Sequence, residues 1–424
     1  MKTTAGVVPH RLSHVDAIRA VAVLLVMWAH YADKFGPIAG SEQWLNTTQY
    51  YGNFGRIGVV VFFALSGLLI PNSLNGPIGA GTRQFIIRRF LRLYPTYWLS
   101  IPLGFFAYWM LFNKHMDVAG WLANASMIPD ALGHPEMMGH YWTLETELVF
   151  YVLCLGLFWL GGIQQMRVLC IVCVALSAAF VVTSALHVIP ANALGQYKGM
   201  LFHLSIMFWG ACYRKASDHP NERVVLGLPG VRALRADWSY KRAFLSVTGT
   251  VVFVSLLIGA VAVKQHDVEH IIQSFSYLAG LAIFGALASV WKIHLRLFAW
   301  LGKISYSMYL LHGIPLYVIF WLCSREGWKG APLAVYMIPS AVLAVGISWL
   351  SFSAVEAPCI WFAHALTSAR RAKAPDAVDA GEPAQEEWPT VAAARPENLL
   401  PESEHGSGDT PPLPGMQDNV LLSK

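Results

Sequence analysis

Near the N-terminus, HVDAIRAVAVLLVMWAHYAD sets Asp16, Arg19, His30 and Asp33 in an otherwise apolar run. Arg19 and His30 lie eleven positions apart, so on a helix they share one stripe, about 16 Å apart along the axis. Asp16 and Asp33 stand three residues outside that pair and flank the same face. Ionisable groups are costly in lipid, so such a stripe predicts a helix that lines a polar cavity. Further on, HYWTLETELVFYV carries Glu145 and Glu147. Two residues of helix separate them by about 200°, so one is expected to face the cavity and the other to reach the headgroups. A carboxylate level with His30 would orient the imidazole as a general base for a hydroxyl acceptor. In LGKISYSMYLLHGIP, Ser305, Tyr309 and His312 share a face. His312 reads either as a helix contact or as a second catalytic imidazole. Ser66 in VFFALSGLLI neighbours Gly67, a small pair that lets helices approach closely; with no base beside it in sequence, a nucleophilic role is the weaker reading. Arg88, Arg89 and Arg92 cluster in RQFIIRRFLRLYPTYW. They suit a cytoplasmic membrane border, and equally the bidentate binding of phosphate.

The elements that must carry these groups are membrane helices. Hydrophobic residues make up 55% of the 424 and charged residues 13%, against about 25% charged in a soluble domain. Mean hydropathy is +0.47. A bilayer core needs about 20 apolar residues per helix. Ten segments approach this: 17–34, 55–74, 93–112, 141–160, 168–189, 200–213, 242–263, 271–291, 302–322 and 333–353. The predicted fold is an all-α polytopic bundle of about ten transmembrane helices. If the N-terminus is cytoplasmic, only Lys34, Arg56, Lys114, Lys198, Lys264, Arg325 and Lys329 of the 30 basic residues fall outside. The positive-inside rule then puts both termini in the cytoplasm. The first segment is expected to be a retained signal-anchor, because no small-residue cleavage site follows it. Residues 1–366 form the expected membrane domain. Residues 367–424, rich in Ala, Pro, Glu, Asp, Gly and Ser, are expected to be a disordered cytoplasmic tail. Cys170 and Cys173 form a C-x-x-C inside an apolar helix with no neighbouring His or acid, so they read as packing residues. No metal site, no disulfide framework and no nucleic-acid partner is expected.

Taken in order, these blocks resemble the integral-membrane acyltransferase 3 family over roughly residues 12–365. VDAIRAVAVLLVMWAH resembles the family's first helix, a basic residue and a His ten positions between, here Arg19 and His30. Ala17 stands where the family usually has Gly. VFFALSGLLI and RRFLRLYPTYW match the next two blocks. YWTLETELVFY resembles a Trp-Ser-Leu…Glu segment, with Thr143 for Ser and Glu147 on the acid. LGKISYSMYLLH and Glu356-Ala-Pro358 match the closing blocks. The resemblance implies transfer of an acyl group, often acetyl, from cytoplasmic acyl-CoA to a hydroxyl. Acceptors are cell-surface polysaccharides, sometimes macrolide-like small molecules. It implies His30 as the catalytic residue; by its depth Glu147 is expected to orient that imidazole. It links Arg19, Arg89 and Arg92 to the donor, with Arg88 beside them. Acyl-CoA is then a substrate, and no permanently bound cofactor is expected. The expected setting is the inner (plasma) membrane, with lipid and glycan-assembly proteins as neighbours. Some members carry an extracytoplasmic hydrolase-like domain. The short C-terminal extension here is not expected to be one, so transfer either ends within the membrane domain or passes to a separate partner. A competing reading is a glycan or lipid transporter, whose proton relays also bury His, Arg and Glu.

Overall fold

The computed structural model describes residues 10–40, 43–186, 197–226 and 236–368. Its helices run, in order, α1 (His10–Phe35), α2 (Gln43–Gly52), α3 (Phe54–Leu69), α4 (Ile78–Gly104), α5 (Val118–Ala125), α6 (Trp142–Trp159), α7 (Met166–Ala185) and α8 (Tyr197–Asp218). Two short antiparallel strands follow, β1 (Arg223–Leu226) and β2 (Ala236–Ser239), with Arg223 opposite Ser239. Then come α9 (Tyr240–Gln265), α10 (Val268–Ser289), α11 (Arg296–Lys303), α12 (Ser305–Leu311), α13 (Gly313–Arg325), α14 (Leu333–Ser351) and α15 (Ala357–Ser368). The chain is an all-α polytopic membrane protein.

Among the described residues, eight segments are long and apolar enough to cross a membrane. Ten were predicted. The other two expected segments are also helical, as α4 and α8, but are more polar. Any eighteen-residue window of α4 includes at least three of Arg83, Arg88, Arg89 and Arg92. Helix α8 is 22 residues long, well beyond the expected 200–213, and ends in Arg214, Lys215 and Asp218. Large apolar side chains such as Phe253, Val263, Ile338 and Val342 stand exposed on α9 and α14, as lipid-facing surfaces require. The predicted tail 367–424 lies outside the described residues except for Thr367 and Ser368, which complete α15.

Helix α1 is the axis of the bundle. It packs against α3, α10, α11, α12, α13 and α14. Accordingly Ala17, Ile18, Ala20, Ala22, Val23, Val26, Met27, Ala29, Tyr31 and Phe35 are all buried, around its whole circumference. Small residues permit the closest crossings. A Cβ on Gly302 of α11 would lie 1.8 Å from the Asp16 carbonyl oxygen of α1. Between α3 and α8, a Cβ on Gly67 would lie 1.7 Å from the Met207 oxygen, and one on Gly210 2.1 Å from the Ala64 oxygen. The small pair at Ser66-Gly67 is thus a helix contact at its glycine. Cys173 packs on the same α8, its thiol donating to the Ser205 carbonyl at 3.1 Å.

These contacts give opposite signs to one substitution at two sites. Gly67→Ala must separate two backbones and should cost about 1–3 kcal/mol. Gly156→Ala on α6 meets no atom within 4 Å and should gain up to about 1 kcal/mol from helix propensity. Thermal unfolding of both variants in detergent checks this. Equal effects would mean that the α3–α8 crossing is not close.

Candidate active site

The end of α1 that holds His30 meets two further histidines. The His30 ring stacks on His312 at 5.3 Å with a 29° interplanar angle and lies 5.9 Å from His140. His140 and His312 are 4.5 Å apart. His312 sits at the break between α12 and α13, where Pro315 three residues later has no N–H to offer the Leu311 carbonyl. Its Nδ1 donates to the Tyr309 carbonyl at 2.8 Å and the Met308 carbonyl at 3.1 Å. That bonding fixes the tautomer and leaves Nε2 with a lone pair. Tyr31, one residue past His30, donates its hydroxyl to the His312 carbonyl at 3.0 Å and so ties α1 to the break. Tyr309 donates to the His140 carbonyl at 2.6 Å and shares a 2.6 Å hydrogen bond with Thr143. The result is a group of three imidazoles, one of them, His312, held by backbone carbonyls. Nε2 of both His140 and His312 is buried without a hydrogen-bond partner among the described residues. No three His, Cys, Asp or Glu side chains among those residues are placed to share a metal ion.

The opposite half of α1 carries the charges. Arg19 pairs with Asp16 at 2.6 Å and lies within electrostatic reach of Arg89 and Arg92 of α4. Arg89 donates to Ser73 at 3.3 Å and lies over the rings of Phe85 and Tyr151 at 5.6 and 5.8 Å. Its Nε is buried without a partner among the described residues. Tyr151 donates to Glu147 Oε1 at 2.5 Å, and Ser66 to the same oxygen at 3.4 Å. Glu356, 1% exposed, accepts from Ser307 at 2.7 Å and feels both Arg92 and Arg19. It stands at the end of a π turn, Phe352–Glu356, whose extra residue rotates the side chain relative to α14. Three arginines therefore meet Asp16, Glu147 and Glu356, as buried charge requires.

Several expected sites fall elsewhere than expected. Glu147 is bonded within the arginine group, not to His30, whose ring neighbours are His140 and His312. Glu145 does not reach for headgroups. It is 3% exposed and accepts from the Ala131 N–H at 3.1 Å, bracing the loop before α6. Arg88 diverges from Arg89, its Nε donating to Thr367 of α15 at 3.0 Å. Asp33 is exposed beyond His30, and Ser305 is buried at the start of α12. Tyr309 and His312 do join His30. Sequence reasoning missed His140, which lies just outside an apolar run, and Tyr151, and it noted Glu356 only as part of a matching block, not as a site residue. A buried acid inside the apolar run SFSAVEAPCIW was a usable signal for Glu356.

In the loop before α6, burial together with the carboxylates of Asp130 and Glu145 pushes Glu136 up to about 8. The folded protein thus holds this proton where the unfolded chain has lost it. Stability from Glu136 is fully present below pH 4.5 and declines as pH rises to about 8. Between pH 6 and pH 9 the wild-type thermal midpoint should fall more than that of Glu136→Gln. Parallel melting curves would show that Glu136 titrates as an ordinary carboxylate.

With this geometry described, the chain can be compared with known proteins. A family model described as an acyltransferase domain matches residues 12–352. The peptidoglycan O-acetyltransferase OatA of Listeria monocytogenes is 25% identical over 346 residues, covering 74% of this chain and 50% of that protein. The putative peptidoglycan O-acetyltransferase YrhL of Bacillus subtilis is 22% identical over 391 residues, covering 81% of this chain and 54% of that protein. Protein 2 in the picA locus of Rhizobium radiobacter is 32% identical over 98 residues, 22% of this chain and 44% of that one. The chain spans about half the length of the first two. No solved structure matches it.

Proposed function

The chain belongs to the acyltransferase 3 family, and from that premise we propose that it moves an acyl group, acetyl by analogy with its relatives, from cytoplasmic acyl-CoA to a carbohydrate hydroxyl on the far side of the plasma membrane. The observation that carries this reading is the division of α1. Its Arg19 half joins three arginines, and its His30 half joins three imidazoles, about 16 Å along one helix stripe. A donor with phosphates at one end and a thioester at the other end of a flexible arm fits that division. The excess of basic residues at the arginine end supports a cytoplasmic N-terminus and entry of CoA from that side.

Arg19, Arg89 and Arg92 would hold the donor phosphates, Arg89 with an Nε–H still free to donate among the described residues. His30, only half-buried, accepts the proton of the acceptor hydroxyl. The oxygen attacks the thioester carbonyl, and the tetrahedral intermediate collapses with loss of CoA thiolate. The thiolate then takes the proton from the His30 imidazolium, which restores the base. Glu147 belongs to the donor end in this scheme, oriented by Tyr151 and Ser66. His312 is a positioning residue, its ring stacked on His30 and its tautomer fixed by backbone. The acceptor class follows the two relatives that are named as peptidoglycan O-acetyltransferases.

His30→Ala should lower transfer by about 10²–10⁴-fold while acyl-CoA still binds. Arg89→Ala with Arg92→Ala should instead weaken donor binding, each lost phosphate contact costing about 1.5–3 kcal/mol. Sealed inside-out vesicles given labelled acyl-CoA outside should deposit label on acceptor in the lumen. Label confined to acceptors on the outer, CoA-exposed face would refute transfer through the membrane.

A further inference from the structure

A third polar group, apart from the donor and His30 centres, lies where α3, α8 and α10 meet. Arg56, in the first turn of α3, donates from Nη1 to the Tyr277 hydroxyl of α10 at 3.3 Å. The same hydroxyl is 3.0 Å from Nε2 of His203 on α8. The arrangement that satisfies all three has Tyr277 accepting from Arg56 and donating to His203. His203 then carries its proton on Nδ1. Neither that Nδ1 nor Nε of Arg56 has a hydrogen-bond partner among the described residues, and both atoms are buried. His203 is 2% exposed and is held by the rings of Phe63 and Trp142, each 5.2 Å away. No carboxylate among the described residues pairs with Arg56. Arg19, Arg89 and Arg92, by contrast, each lie near a carboxylate, of Asp16, Glu147 and Glu356 respectively. A guanidinium Nε–H and an imidazole Nδ1–H, both buried without a partner among the described residues and joined through one tyrosine hydroxyl, are two donors suited to anionic oxygen.

The group lies close to His30. Gly55, the neighbour of Arg56, packs on Ala29, the neighbour of His30, with a Cβ position 3.0 Å from the Ala29 methyl. Adjacent residues of α3 face the two centres: Phe62 meets Tyr309 at 5.9 Å and Phe63 meets His203 at 5.2 Å. The two centres thus lie on neighbouring faces of α3, one residue apart along it.

We propose that Arg56 and His203 bind an acidic group of the acceptor, a carboxylate or phosphate close to the hydroxyl that is acylated. This rests on the acyl-transfer reading and adds the acceptor's charge to it. Two N–H donors, one cationic, select anionic oxygen over a neutral hydroxyl, and their desolvation penalises acceptors that leave them unpaired.

The test uses the full-length protein in proteoliposomes with labelled acetyl-CoA. The acceptors are an oligosaccharide containing a hexuronic acid, its carboxyl-reduced counterpart, and a glycosyl phosphate. The wild type should favour one of the acidic probes over the neutral one by about 10- to 100-fold in kcat/KM. Which acidic probe is favoured distinguishes carboxylate from phosphate. Arg56→Gln should bring that ratio towards one, and Arg56→Lys should restore part of it. His203→Gln, which keeps an amide near the Nε2 position but removes the Nδ1 donor, should lower the ratio without Arg56 being touched. Direct binding of the same probes to purified protein reads the site without turnover, and the acidic probe should lose affinity selectively in Arg56→Gln. Equal wild-type preference for acidic and neutral probes, or equal losses on both in the variants, overturns the anion site and leaves acyl transfer standing. Selective acidic binding without any label transfer would instead sink the acyl-transfer reading and keep the site.

Discussion

A guanidinium inside a membrane bundle must find counter-charge and acceptors within the protein, and that requirement organises the arginine half of the molecule. Arg19 takes Asp16 from its own helix. Arg89 takes Ser73 and the faces of Phe85 and Tyr151. Glu147 and Glu356 complete the charge balance from α6 and from the π turn after α14. Each partner is in turn bonded, Glu147 by Tyr151 and Glu356 by Ser307. Removing one member leaves another charged and unpaired in a medium that cannot hydrate it, so the group stands or falls as a unit.

Because α1 supplies a member to both centres, its rigidity sets their separation. A helix rises about 1.5 Å per residue and does not stretch. Backbone contact at Gly302 and at Gly58, whose Cβ would lie 2.6 Å from the Ala22 oxygen, locks its neighbours against it. The tie from Tyr31 to the His312 carbonyl then transfers the same reference frame to the break between α12 and α13. The distance from arginines to imidazoles is thus a property of one helix and not of loop conformations.

Much of this was legible because it depends on local periodicity. The spacing of Arg19 and His30 gave one stripe, and hydropathy gave the helices, including those too polar to score as spans. Even the divergence of Arg88 from Arg89 follows from 100° of helix rotation per residue. What escaped was partner choice. Helical geometry put Glu145 and Glu147 on opposite faces but could not say that one would brace a loop at Ala131 while the other met Tyr151. His140 was invisible because its position depends on Tyr309, 169 residues away. Glu356 depends on a π turn, which adds one residue to the helical repeat and defeats counting by 3.6.

The polar atoms left without partners among the described residues extend the argument. Some are hydroxyls, on Thr96, Ser177, Ser348 and Ser351. A hydroxyl can rotate towards a carbonyl one turn back, so these cost little in a helix. The ring and guanidinium nitrogens cannot turn that way, because packing fixes their planes. Those of Arg56, Arg89, His140, His203 and His312 lie on helices or loops that gather around α1 and α3. Had the bundle been selected for stability alone, apolar residues of similar size would serve better at such positions. On the function proposed above, a substrate with phosphates, a hydroxyl and an acidic group would complete the hydrogen bonding of those five residues.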